Sequence, residues 1–121
     1  AYDLLSLLED ARRDVSNELA QSLLLEYSDV AQADQERLKA AYALLAAQRN
    51  SKIVGIFTRL AARDGKSHYL DYLPRVWQHL VHDISAPSLQ PLRQFMDRYV
   101  SDQNRGVITI RKNAKTLGLA A

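Results

Sequence analysis

The sequence predicts an all-α protein, a bundle of about five helices, on three observations. Glycine and proline, which punctuate loops, number only four and three among 121 residues, while alanine and leucine, which lose little entropy in a helix, abound. Apolar residues recur three and four positions apart through most of the first hundred residues, the period of a buried helix face. Between these runs stand serine, aspartate, glycine and proline, the residues that start and stop helices. With 47% hydrophobic and 25% charged residues, the chain has the makings of one globular domain with its own core.

The first helix is expected over Tyr2 to Arg13, with Leu4, Leu5, Leu7, Leu8 and Ala11 on one face and Arg12 and Arg13 opposing the dipole in the last turn. It is in stride by its fourth residue and no methionine precedes it, so the chain is expected to be a piece of something longer. Ser16 is a good N-cap for a second helix over Asn17 to Tyr27, with Glu18 in its first turn and Leu19, Leu23 and Leu24 facing inward. From Asp34 a third pattern keeps Leu38, Ala41, Tyr42, Leu45, Arg49, Ile53, Ile56, Phe57 and Leu60 on one stripe as far as Arg63, with Gly65 as the C-cap. A kink or break is expected near Asn50, in the polar run "QRNS". Ser67 can cap a fourth helix whose regular part begins at Leu73 or Pro74 and ends at Asp83, burying Val76, Trp77, Leu80 and Val81. Ser88 is expected to cap a fifth, with Leu89, Leu92, Phe95, Met96 and Tyr99 as its apolar stripe. Residues 1–100 thus form the helical unit, and 101–121 a basic tail, mobile or carrying a short strand at Val107 to Ile110.

Composition excludes several functions. Cysteine is absent, which removes disulfides, thiolate nucleophiles and cysteine-containing metal sites and fits a reducing compartment. The longest uncharged stretch is far short of the roughly 20 residues that span a bilayer. The start is broken by Asp3, Ser6, Glu9 and Asp10, unlike a signal peptide. A soluble cytoplasmic protein without membrane contact is expected. The formal net charge of +2 comes from the tail, which carries a surplus of three positive charges, so the body lacks the basic stripe of a nucleic-acid binder. His79 and His82 lie three apart on one helix face, yet no third ligand and no HExxH pairing accompany them, so no metal is assigned. No G-x-S-x-G, P-loop or G-x-G-x-x-G occurs, and no catalytic residue or bound cofactor is assigned.

The chemistry is concentrated in "AAQRNSKIVGIFTRLAARDGKSHYLDYLPRVWQHL", where Arg49, Asn50, Lys52, Arg59, Arg63, Asp64 and Lys66 interrupt an apolar helix pair and Gly55 permits a close backbone approach. Two readings stand side by side. These residues form interhelical salt bridges and caps, or Arg49, Asn50 and Arg59 line a polar pocket for an anionic or sugar-like substrate.

The stretch "QRNSKIVGIFTRLAARDGKSHYLDYLPRVW" resembles the C-terminal portion of bacterial phosphotransferases of the aminoglycoside and choline kinase superfamily, particularly the N-acetylmuramate/N-acetylglucosamine kinase branch, and the opening "AYDLLSLLEDARRDV" is similar to the same branch. The resemblance implies the helical C-lobe subdomain of a kinase-like fold, in a parent that uses ATP and Mg to phosphorylate a hydroxyl of a sugar or amino sugar. It places the metal-binding aspartate, in a segment like the DFG of protein kinases, just before "AYDL", and the catalytic aspartate, its metal-binding asparagine and the nucleotide lobe further upstream. The chain alone is then expected to supply scaffold and part of the substrate pocket without catalysing, since phosphoryl transfer rests on those groups. Asp3 matches a family aspartate that accepts hydrogen bonds from the catalytic-loop backbone; a plain helix N-cap is its other reading. A free-standing helical interaction module is the alternative function. Separated from a parent, the leucine-rich face of the first helix, Leu4, Leu5, Leu7 and Leu8, is expected to be bare and to drive a homodimer, with Val107 to Ile110 a second route.

Overall fold

A computed structural model describes residues 1–100, all in helices and the turns between them with no strand among them. Five α-helices appear in order: α1 over Tyr2–Leu8, α2 over Asn17–Val30, α3 over Gln35–Asp64, α4 over Leu73–Asp83 and α5 over Gln90–Tyr99, with 3₁₀ turns at Ser67–Tyr72 and Pro87–Leu89. The all-α expectation is met. The tail and its Val107 to Ile110 run lie outside the described residues. Among those described, no helix is long and apolar enough to cross a membrane.

The spine is α3, 30 residues and thus about 45 Å long. Asp34 caps its start by accepting from the Arg37 N–H at 3.0 Å. Gly65 ends it in the left-handed region at φ 68°, where a side chain would be strained, while the Lys66 N–H returns to the Leu60 carbonyl at 3.0 Å. The break expected at Asn50 does not occur: the helix is unbroken through "QRNS", because Asn50 spends its side chain on neighbouring elements and leaves the backbone ladder intact.

Two clusters fasten α4 to this spine. Ala61 meets Leu70 and Leu73 in one, with Val54 and Phe57 against it; Ala47 meets Leu80, Ile84 and Leu89 in the other, with Ala43, Leu92 and Met96. Late α3 residues meet early α4 residues, so α4 runs back along α3, and Trp77 packs against both clusters. The contacting α3 positions, 43, 47, 50, 54, 57 and 61, alternate four and three apart. Two of them, Ala47 and Ala61, are small and buried, as is Ala46 beside them, while most of the larger residues of the expected stripe are only half-covered on an adjacent face.

Several expectations are corrected. The first helix stops at Leu8 rather than Arg13, because Asp10 takes the Arg12 N–H at 2.8 Å and closes a local turn that competes with the helix. Its leucine face is not bare: Leu5 and Leu8 are buried in the chain's own core, Leu4 is half-buried, and Leu7, 58% exposed, is left outside. Ser16 caps α2 through the Leu19 N–H at 3.2 Å as expected, but α2 continues to Val30 and Leu19 faces solvent. Ser67 opens a 3₁₀ turn without capping α4, and Ser88 sits within a 3₁₀ turn while α5 starts without a side-chain cap. Val81 is 46% exposed, and Phe95 and Tyr99 stack on each other in the open at a centroid distance of 4.8 Å.

Gly55 has no backbone close by: a Cβ built there meets nothing within 4 Å. Gly55→Ala should therefore stabilise the chain by about 0.5–1 kcal/mol through helix propensity alone, whereas Leu73→Ala should cost about 2–5 kcal/mol by emptying the core. Urea unfolding followed by far-UV circular dichroism measures both.

Candidate functional site

The turn that follows α1 is strapped across the spine. Glu9, just past the helix, adopts φ −118° and ψ 42° and folds its carboxyl inward, leaving the residue 6% exposed. Asn50, at 0% exposure on α3, donates through Nδ2 to Glu9 Oε2 at 2.6 Å and to Asp83 Oδ2 at 2.8 Å. Asp83 closes α4 and is 3% exposed. Arg49, one position earlier on α3, donates Nη1 to the Glu9 carbonyl at 3.1 Å. From α4, Arg75 holds the same turn by donating Nη1 to the Ala11 carbonyl at 2.7 Å and Nε to Asp14 Oδ1 at 2.9 Å. The Asp14 pairing is solvent-exposed and weak as a charge interaction, so the carbonyl contact is the firmer hold.

Against this strap, between α2 and the α3–α4 pair, opens a cavity of about 720 Å³. Glu9 and Asp83 lie on its wall together with Tyr42, His79, Gln78 and Arg75, while Leu24 and Leu25 of α2 supply apolar surface opposite. A polar inner wall facing an apolar one suits a small molecule with several hydroxyls or amides.

Burial dominates the electrostatics. It raises the Asp83 carboxyl to about 8, with the neighbouring Glu9 adding to the rise and the Asn50 amide opposing it. The Tyr42 hydroxyl is pushed well above its ordinary value by burial and then by the charge of Glu9, to which it hydrogen-bonds. Burial holds the His79 imidazole below the ordinary histidine value, with the nearby Glu9 opposing the shift. His79 borders the cavity, but its Nε2 is itself buried and has no hydrogen bond among the described residues.

The residues singled out from the sequence fall in different places. Arg49 and Asn50 come together on Glu9, Asn50 directly beneath the carboxyls that face the cavity and neither on the cavity wall itself. Arg59 is exposed, nine residues or about 13 Å further along α3, and joins neither. Arg63 pairs with its neighbour Asp64 at 2.6 Å on the surface, and Lys52 and Lys66 are exposed. Asp3 is exposed in the first turn of α1, where Ala1 is the N-cap and no side-chain cap exists, so it suits the helix dipole without capping. His79 and His82 both border the cavity, but no group of three or more potential metal ligands exists among the described residues.

The sequence reading missed Glu9, Asp83, Tyr42 and Arg75. Each had a plainer role at hand, and partners 33 to 64 positions away leave no local signal. The usable hint was that Asn50 lies on a 4-3 spaced stripe that is otherwise apolar, where a buried amide demands partners.

No protein-family model matches the chain. It is 41% identical over 106 residues to the N-acetylmuramate/N-acetylglucosamine kinase of Caulobacter vibrioides, covering 87% of this chain and 29% of that protein. To the proteins of the same name from Neisseria meningitidis and Pseudomonas putida it is 34% identical over 87 residues and 33% over 86, or 66% and 65% of the chain and 26% and 25% of those proteins. The chain therefore spans less than a third of the length of the curated relatives it matches.

Asn50→Ala should destabilise the chain by about 2–5 kcal/mol, since it leaves two buried carboxyls without their shared donor and opens a void. Arg59→Ala should lie within about 0.5 kcal/mol of wild type. Urea midpoints of the two variants, measured side by side at pH 7, give the comparison.

Proposed function

We propose that the chain is the C-terminal helical part of an ATP-dependent kinase of the N-acetylmuramate/N-acetylglucosamine type, which transfers phosphate to a hydroxyl of an amino sugar. The observation that carries this is the 41% identity sustained over 106 residues, which takes in the stretch "QRNSKIVGIFTRLAARDGKSHYLDYLPRVW" that resembles the same kinases. In this reading the helices supply the scaffold and the cavity beside Glu9 and Asp83 belongs to the substrate pocket, with Tyr42 and Gln78 on its wall. Arg49 and Asn50 act on that pocket from behind, by fixing Glu9, and Arg59 is the least favourably placed of the three. Asp3, exposed at the start of α1, is free to brace a neighbouring loop of a longer protein.

In this reading ATP and Mg are held by other parts of the longer protein; among the described residues no cluster of three or more metal-ligating side chains occurs. A homodimer of the chain would rest on Tyr2 and Leu7, the exposed large apolar residues of α1, rather than on the whole leucine face.

A longer open reading frame that ends in this chain should turn over ATP in the presence of N-acetylglucosamine or N-acetylmuramate in a coupled assay, and the 121-residue chain alone should not. A reading frame that starts immediately before Ala1, with no kinase activity in its product, would instead favour a free-standing helical interaction module.

A further inference from the structure

Two carboxyls, Glu9 and Asp83, are drawn out of water to meet one neutral amide, at 2.6 and 2.8 Å from the same nitrogen. Asn50 has one hydrogen for each and no positive charge to offset either. The groups that face the pair do not neutralise it. From α3 come the Tyr42 hydroxyl and Arg49, which spends its contact on the Glu9 carbonyl; from α4 come Arg75, held by Ala11 and Asp14, with His79 and His82 at the cavity; from the turn come Asp10, paired with Arg12, and Arg13 and Asp14. Among the described residues no ion pair includes Glu9 or Asp83. A second observation points the same way: Asn50 Oδ1 is buried and accepts no hydrogen bond among the described residues, so the amide is oriented by the carboxyls at the expense of its own oxygen. Two like charges that share one hydrogen-bond donor in a poorly hydrated setting cannot both persist.

We propose that Glu9, Asn50 and Asp83 form a proton-binding tie, in which one proton held between the two carboxyls fastens the turn after α1 to the end of α4. Asp83 belongs to a regular helix and Glu9 to an irregular turn, so Glu9 is the side that gives when the proton leaves. The strap from Glu9 to Asp14 then loosens along the cavity it borders. This tie is a property of the 121-residue chain and is independent of the kinase reading.

The linkage has a definite sign. Burial and the neighbouring carboxyl raise Asp83 from 3.8 to about 8, so across that interval the folded chain binds a proton that the unfolded chain has released. Stability from this group is complete at low pH and is lost as pH climbs through the interval, by at most about tenfold in the folding constant per pH unit. Asp83→Asn copies the protonated acid: its carbonyl accepts from Asn50 and its amide donates to Glu9. Folding constants of wild type and Asp83→Asn are measured by urea unfolding of the full chain from pH 5 to pH 8. The ratio of variant to wild type should rise by more than about tenfold across that range; a smaller rise overturns the proposal. If Asp83→Asn does not fold, ¹³C NMR titration of the wild-type Asp83 carboxyl decides: an inflection above about pH 6 supports the tie, and one at or below it, toward the ordinary aspartate range, overturns it.

Discussion

One amide nitrogen, Asn50 Nδ2, joins three stretches that lie far apart in sequence: the turn after α1, the middle of α3 and the last residue of α4. Its contacts bridge 41 and 33 residues of sequence. Because the donor is shared, the two carboxyls are coupled through Asn50, and the turn that carries Glu9 is tied to the end of α4.

The arrangement is possible because α3 packs with small residues. Ala47 and Ala61 let α4 approach closely above and below Asn50, and Trp77 packs against the clusters on both sides. Close helix contact excludes water, which strengthens every hydrogen bond in the cluster and makes any unpaired member costly. Arg49 and Arg75 then secure the turn through carbonyl oxygens, leaving the carboxyls to Asn50. Apolar packing thus supplies the low dielectric, and backbone hydrogen bonds supply the position.

Most of the helix plan was legible from the sequence because it rests on local chemistry. Ser16, Asp34 and Gly65 act at the helix ends as their side chains or lack of one dictate, and Pro74 marks the start of α4. The end of α1 was missed because Asp10 diverts the backbone by a side-chain contact that competes with a helix of good apparent periodicity. The buried face of α3 was placed one step around the helix, since leucine and isoleucine outweigh alanine in any reading by hydrophobicity, while close packing favours alanine. Of the site, Arg49 and Asn50 were visible as polar residues in an apolar pattern. Glu9, Asp83 and Arg75 were not, because their partners lie on other elements and only the fold brings them together.

Asn50 and Asp83 are parts of one interaction rather than two separate buried polar residues. A double-mutant cycle on Asn50→Ala and Asp83→Ala, read from urea unfolding at pH 7, measures that directly. The two losses should not be additive, with a coupling of about 0.5–3 kcal/mol, because an amide that has lost one carboxyl has less to hold. Losses that add to within about 0.3 kcal/mol would contradict it.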